Sequence, residues 1–131
     1  FYSDKRNRFF VSSTREYMLA RRNDIQFATQ SGPMLLMHDS IHSSFIFGSP
    51  NLNIRNGVGV VEGSDRSVVA FVISEDKVNF YDMALVYKYI LNCKDALYLD
   101  GSISRMYFKK GDSETGDLGG ELGPVISVSE K

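Results

Sequence analysis

The sequence predicts an α+β fold: a mixed β-sheet with one long helix packed on it. Three observations carry that expectation. Val58-Gly59-Val60-Val61 and Ser67-Val68-Val69-Ala70-Phe71-Val72-Ile73-Ser74 are β-branched runs separated by Glu62-Gly63-Ser64-Asp65-Arg66, a glycine-containing turn, and together they read as a hairpin. Phe80, Met83, Ala84, Tyr87, Ile90 and Leu91 then recur at the spacing of one helical face. Finally, Ala96-Leu97-Tyr98-Leu99 is a short apolar run stopped by Asp100-Gly101-Ser102, the pattern of a strand buried on both faces. A strand, a helix and a strand with short joins imply a βαβ unit with parallel outer strands.

The chain of 131 residues suits one domain over its whole length, with 43% hydrophobic and 24% charged residues. A net charge of −1 gives no electrostatic reason for nucleic acid as a partner. The single cysteine, Cys93, forbids an internal disulfide and is placed as a small core residue. No apolar run approaches the length of a membrane span. The chain starts at Phe1 in a mixed polar segment, which suggests a processed or trimmed chain, or a piece of something longer.

Along the chain, residues 1–23 are dense in Arg and Lys, a segment open to two readings: a solvated face or an anion-binding edge. Phe9-Phe10-Val11 fits a strand, and Ser13 or Thr14 fits the cap of a short helix reaching about Arg22, with Glu16 in its first turn. Residues 24–28 are either a second helix start or an extended lead-in. Pro33 suits the first residue of a strand continuing through Met34-Leu35-Leu36-Met37, and His38-Asp39-Ser40 reads as a turn. Residues 41–47 alternate imperfectly, and a loop follows over 48–53. Arg55-Asn56-Gly57 opens the hairpin, whose second strand, residues 67–74, is expected at the centre of the sheet. Asn79 is a helix cap with Asp82 three residues on, and the helix is expected over residues 80–91. Met106-Tyr107-Phe108 suggests a strand, residues 109–123 a mobile glycine-rich loop, and Val125-Ile126-Ser127-Val128 a last strand.

Several of these segments together resemble the phosphodiester glycosidase family, in particular its bacterial, exopolysaccharide-related branch. They are Ala28-Thr29-Gln30-Ser31-Gly32-Pro33-Met34-Leu35, Arg55-Asn56-Gly57-Val58-Gly59-Val60, Val78-Asn79-Phe80-Tyr81-Asp82-Met83-Ala84, residues 96–104 and Gly119-Gly120-Glu121-Leu122-Gly123-Pro124-Val125-Ile126, in the family's order over about residues 25–128. Where the family signature carries its second and third glycines, this chain has Ser102 and Ile103. The family's N-terminal Asn-Gly-Gly motif is absent, so the resemblance implies the C-terminal part of a larger domain.

The resemblance implies hydrolysis of a sugar C1–O–P bond on a periplasmic or secreted glycan, or a non-catalytic module of the same fold that binds a sugar phosphate. Asp100 is the expected catalytic carboxylate, because the oxocarbenium-like transition state of glycoside hydrolysis is stabilised by negative charge. Arg55 is the expected phosphate ligand, its planar fork matching two phosphate oxygens. Asn56, Gly101, Ser102 and Ser104 would meet the sugar or phosphate, and Gln30, Ser31 and Gly32 would form the facing wall. Glu62 and Asp82 are the candidates for a second carboxylate, Asp82 more naturally serving the helix start. His38 and His42 have the spacing of two metal ligands on a helix, but the segment reads as strand-turn-strand with no third ligand. No cofactor is expected, a divalent metal is left open, and no P-loop, dinucleotide fingerprint or nucleophile elbow occurs.

Overall fold

The computed structural model describes residues 1–61, 68–99, 105–116 and 125–129. The main sheet contains β4 (Met34–Met37), β5 (Ser40–Ile41), β6 (Asn56–Val61), β7 (Val68–Ile73) and β8 (Cys93–Tyr98), in the spatial order β5-β4-β8-β6-β7. A smaller sheet in the order β2-β1-β3 is built from β1 (Tyr2–Asp4), β2 (Phe9–Phe10) and β3 (Ile25–Ala28). Strands β9 (Tyr107–Lys110) and β10 (Ser113–Gly116) form a separate hairpin.

The hairpin of β6 and β7 pairs from Asn56↔Ile73 to Val61↔Val68. Strand β7 nevertheless lies at an edge of the sheet, and its expected central place belongs to β8. The reason is visible in burial: Ala96, Leu97 and Tyr98 of β8 are all buried, whereas Val68 is 47% exposed. Composition alone points the other way, since β7 is apolar at every position and β8 carries Lys94 and Asp95; the central place goes to β8 because it pairs with both β4 and β6. All neighbouring pairs in the main sheet are antiparallel. Since β7 and β8 both oppose β6, they run parallel to each other with β6 between them. The βαβ unit is therefore split by an inserted strand, and no parallel neighbours occur among the described strands.

The crossover helix is shorter than expected and changes form midway. It comprises α2 (Phe80–Leu85), capped by the Asn79 side chain accepting from Asp82 N at 2.8 Å, and a π-helical turn over Val86–Ile90. In the π turn the Leu91 N–H donates to the Val86 carbonyl, five residues back, at 3.0 Å. The extra residue per turn rotates the face. Met83, Ala84 and Tyr87 are buried as the helical spacing predicts, but Ile90 turns out to solvent at 75% exposure while Leu91 packs on the core.

The two faces of the main sheet carry separate cores. On the helix side, Met83, Ala84 and Tyr87 meet Leu35, Leu36, Cys93, Ala96 and Tyr98. On the other, Val58 and Leu97 meet Phe1 and Val11 from the N-terminal segment. Phe1 stacks on Phe9 and meets Phe71 edge-on, the ring centroids 6.0 and 5.7 Å apart.

The basic N-terminal segment wraps a buried carboxylate. Asp4 accepts from the backbone N–H groups of Arg6 and Arg8 at 2.9 and 3.0 Å and from Arg8 Nε at 2.7 Å, and Arg22 lies 3.6 Å away. Arg22 also stands over the Phe10 ring at 4.1 Å. Helix α1 (Thr14–Leu19) has Ser13 as its cap, closed reciprocally by Glu16 in a capping box, and ends three residues before Arg22. Residues 25–28, left open between helix and strand, are the strand β3. Strands β4 and β5 meet at His38-Asp39, both at positive φ, the two-residue turn that suits a hairpin's twist. Only Ser40–Ile41 of the alternating stretch is strand. Of the expected loop at 109–123, residues 109–116 belong instead to the β9–β10 hairpin, closed by Lys109 and Glu114 at 2.8 Å, and residues 117–123 lie outside the described residues. Residues 125–128 form no strand: Val128 is 81% exposed, and no described strand pairs with them. No helix among the described residues is long and apolar enough to cross a membrane.

Candidate functional site

Antiparallel pairing decides which loops meet. Because β4 and β6 both oppose β8, the segments leading into them lie at the end where β8 finishes. Tyr98 N–H donates to the Pro33 carbonyl at 3.1 Å, and Leu99 N–H donates to the Asn56 carbonyl at 3.3 Å. The Ser31 hydroxyl closes the group by donating to the Leu99 carbonyl. Gln30, Ser31, Arg55 and Asn56, far apart in sequence, thus come to one end of the sheet. Asp100, Gly101, Ser102 and Ser104, which follow Leu99 in the chain, lie outside the described residues, as does Glu62. Asp82 sits in the first turn of α2, its backbone N–H bound by the Asn79 cap. Gly32 is exposed, and a Cβ added there would meet nothing within 4 Å, so its place asks for no close approach.

A cleft of about 430 Å³ opens beside this end, between α1, the small sheet and the face of β4 and β8 opposite α2. Met34 and Leu97 floor it, and Phe1, Tyr2, Tyr17 and Met18 supply its apolar walls. Tyr2 and Tyr17 meet edge to face with centroids 5.0 Å apart. The polar side is made of Ser12, Ser13, Thr14, Thr29, Gln30 and Ser31, and the lining contains no charged side chain. Gln30 Nε2 donates to Thr14 Oγ1 at 3.2 Å, linking the β3–β4 connection to α1. The Ser12 hydroxyl is enclosed and has no hydrogen-bond partner among the described residues.

Helix α1 is held in place on its other side. Glu16 accepts from the Ser13 hydroxyl at 2.7 Å and contacts His38 Nε2 at 2.7 Å, while His38 N–H donates to Asp95 at 2.9 Å. The Ser13 hydrogen bonds, aided by His38 and opposed by burial, hold the Glu16 carboxyl below its ordinary value. His42 is separate, with Nδ1 accepting from Ser44 N at 3.3 Å. Among the described residues no group of three or more His, Cys, Asp or Glu is arranged to hold a metal ion.

Arg55 belongs to the opposite face. Its guanidinium lies 3.6 Å over the Phe80 ring and 5.7 Å from that of Tyr98, and the residue is 3% exposed. Nε donates to the Val78 carbonyl at 2.8 Å and Nη2 to the Asn51 carbonyl at 3.0 Å. No carboxylate among the described residues pairs with it. It is a buried cation resting on backbone carbonyls and an aromatic face, and it pins the loop before β6 to the start of α2. Neither Arg55 nor Asn56 lines the cleft, so the structure brings the expected ligands to one end of the sheet but not into one cavity. The cleft residues Phe1, Tyr2, Ser12 and Tyr17 had no signal of their own in the sequence, because their convergence depends on how the small sheet docks.

A model of the phosphodiester glycosidase family matches residues 1–124. The uncharacterized protein YigE of Escherichia coli (strain K12) is 43% identical over 88 residues, which are 67% of this chain and 34% of YigE. The chain thus spans about a third of that relative's length. No solved structure matches. With the family model covering nearly the whole chain, and the strand starts and strand end of its motifs meeting at one end of one sheet, the chain belongs to the phosphodiester glycosidase family.

Proposed function

We propose that the protein containing this chain hydrolyses glycosyl phosphodiesters on an extracytoplasmic glycan, as part of the family's bacterial branch. The observation that carries the reading is the meeting of the segments before β4 and β6 with the end of β8, next to an aromatic-walled cleft. Water adds at the sugar C1, the C1–O bond breaks, and the oxygen leaves with the phosphate monoester. A phosphate ester is already stable as an anion, so the leaving group asks little of a general acid. The carboxylate that stabilises the developing positive charge on the sugar is then the main requirement, and Asp100 is assigned to it.

Arg55 supplies positive charge at the same end of the sheet. Two of its donors serve the Val78 and Asn51 carbonyls, so its part is to hold the loop before β6 and to bias the local field toward an anion. Asn56, Gly101, Ser102 and Ser104 are assigned to sugar and phosphate oxygens, with Gln30, Ser31 and Gly32 as the facing wall. The full-length protein should release sugar from an aryl α-glycosyl phosphodiester. Binding of that diester without turnover would move the protein to the second reading, a sugar-phosphate-binding module of the same fold.

A further inference from the structure

We propose that the corner of the small sheet where α1 ends is a contact surface for an anionic lipid bilayer, with Met18 and Leu19 entering the headgroup layer among a cluster of cations. The inference goes beyond the hydrolytic reading and does not depend on it.

Charge is divided unevenly along the chain. Residues 1–24 hold six Lys and Arg against three Asp and Glu, whereas the remaining residues hold nine against thirteen. The fold widens that difference by engaging the acids. Asp4 is fully buried between Arg8 and Arg22, and Glu16 is occupied by Ser13 and His38. Asp24 is partly buried, and its backbone carbonyl takes the Lys5 N–H at 2.8 Å. By contrast Lys5, Arg6, Arg15 and Arg21 are exposed, and their side chains make no ion pair among the described residues. The Lys5–Asp24 bond ties the β1–β2 turn to the segment after α1, and Arg22 reaches back over the Phe10 ring of β2. Lys5, Arg6, Arg8, Arg21 and Arg22 therefore share one end of the small sheet.

A basic face alone is ordinarily a solvated one. What sets this one apart is the apolar surface beside it. Arg15, Met18, Leu19 and Arg22 follow the spacing of one helical face, and α1 buries none of its residues. Met18 and Leu19 are each 70% exposed, in the last turn before Arg21 and Arg22. Large apolar side chains held out among cations match an interface whose outer layer is anionic and whose inner layer is apolar. Anionic headgroups attract the cations. The Arg side chains keep their guanidinium groups at that level, while Met18 and Leu19 leave water. A soluble anionic polymer would satisfy the cations and leave Met18 and Leu19 uncovered, so the lipid surface is the better match.

The test is flotation of the full-length protein with vesicles, either of phosphatidylcholine alone or of equal parts phosphatidylcholine and phosphatidylglycerol. The protein should float with the anionic vesicles and far less with the neutral ones. Lys5→Glu/Arg6→Glu should lower that partition about tenfold or more, because each cation near an anionic surface contributes a severalfold factor. Leu19→Ser should lower it severalfold. Salt at about 1 M, where the screening length falls to about 3 Å, should release most of the bound protein. Melting temperatures of the variants, whose changed side chains are exposed, confirm that they fold. Lys5→Gln/Arg6→Gln, which adds no repulsion, should show a smaller loss in the same direction. Equal flotation with neutral vesicles, no flotation with anionic ones, or indifference to both Lys5→Glu/Arg6→Glu and Leu19→Ser in folded protein would overturn the proposal. Retention on alginate without vesicle binding would also overturn it and assign the corner to an anionic glycan. Turnover of a phosphodiester is not part of this readout, so the catalytic reading and the lipid contact stand or fall separately.

Discussion

Tyr87 shows how single residues set this fold. It is fully buried against β6 at the positions where Gly57 and Gly59 present no side chain. A Cβ at Gly59 would stand 2.8 Å from the Tyr87 ring and 2.8 Å from Cys93 Sγ, both in a packed core. Gly59→Ala should therefore destabilise by about 1–3 kcal/mol, the usual cost of overpacking, measured by urea denaturation. The Tyr87 phenol is raised above its ordinary value by burial, and its hydroxyl approaches the Val72 backbone without completing a hydrogen bond to any described residue. Tyr87→Phe removes an unsatisfied group and keeps the shape, so stability should stay within about 1 kcal/mol or rise. Arg55→Lys keeps the charge but loses the flat fork over Phe80 and its bonds to two carbonyls. It should cost about 1–3 kcal/mol of stability in the same assay. It should also weaken binding of charged diesters more than of neutral glycosides. Equal losses on both would confine Arg55 to the fold.

At the scale of elements, the helix over α2 and the π turn gives a paired test. Met83→Ala should cost about 2–5 kcal/mol, as buried large-to-small changes do. Ile90→Ala, on the solvent side of the π turn, should fall within about 0.5 kcal/mol. Periodicity alone places both on the buried face, because it assumes 3.6 residues per turn throughout. What was legible in the sequence was local: the Ser13 cap with Glu16, the Asn79 cap and the β6–β7 hairpin depend on residues a few positions apart. What was not legible depends on distant pairing. Nothing in Ser67 to Ser74 says that the strand has one neighbour rather than two, and nothing in Arg8 or Arg22 says that both turn toward Asp4. The acid side of stability follows from the same contacts. Burial pushes the Asp4 carboxyl up, but hydrogen bonds from Arg8 and Arg6 outweigh it, and Ser13 lowers Glu16. Their ordinary values are 3.8 and 4.5, so the unfolded chain binds more protons as pH falls through that range. Stability should then be full above about pH 5 and decline below it as the folded carboxylates protonate. Thermal melts across acid pH check this, and Asp4→Asn should flatten the decline. A melting temperature that rises on acidification would contradict it.

For the whole molecule, the arrangement of layers creates the site. The main sheet buries one face under the crossover helix and the other under the small sheet, and the cleft is the gap where α1 and the small sheet part from β4 and β8. The motifs that resemble the family are separate in sequence, and antiparallel pairing with β8 gathers two of them, the segments before β4 and β6, at its end. The proposed catalytic carboxylate is Asp100. Its most direct test is single-turnover hydrolysis of an aryl α-glycosyl phosphodiester by the full-length protein and its Asp100→Asn variant, with binding of a non-hydrolysable analogue measured alongside. Asp100→Asn keeps the shape and removes the charge, so the account predicts a steep fall in the chemical rate with analogue affinity nearly unchanged. Full turnover in Asp100→Asn would contradict it.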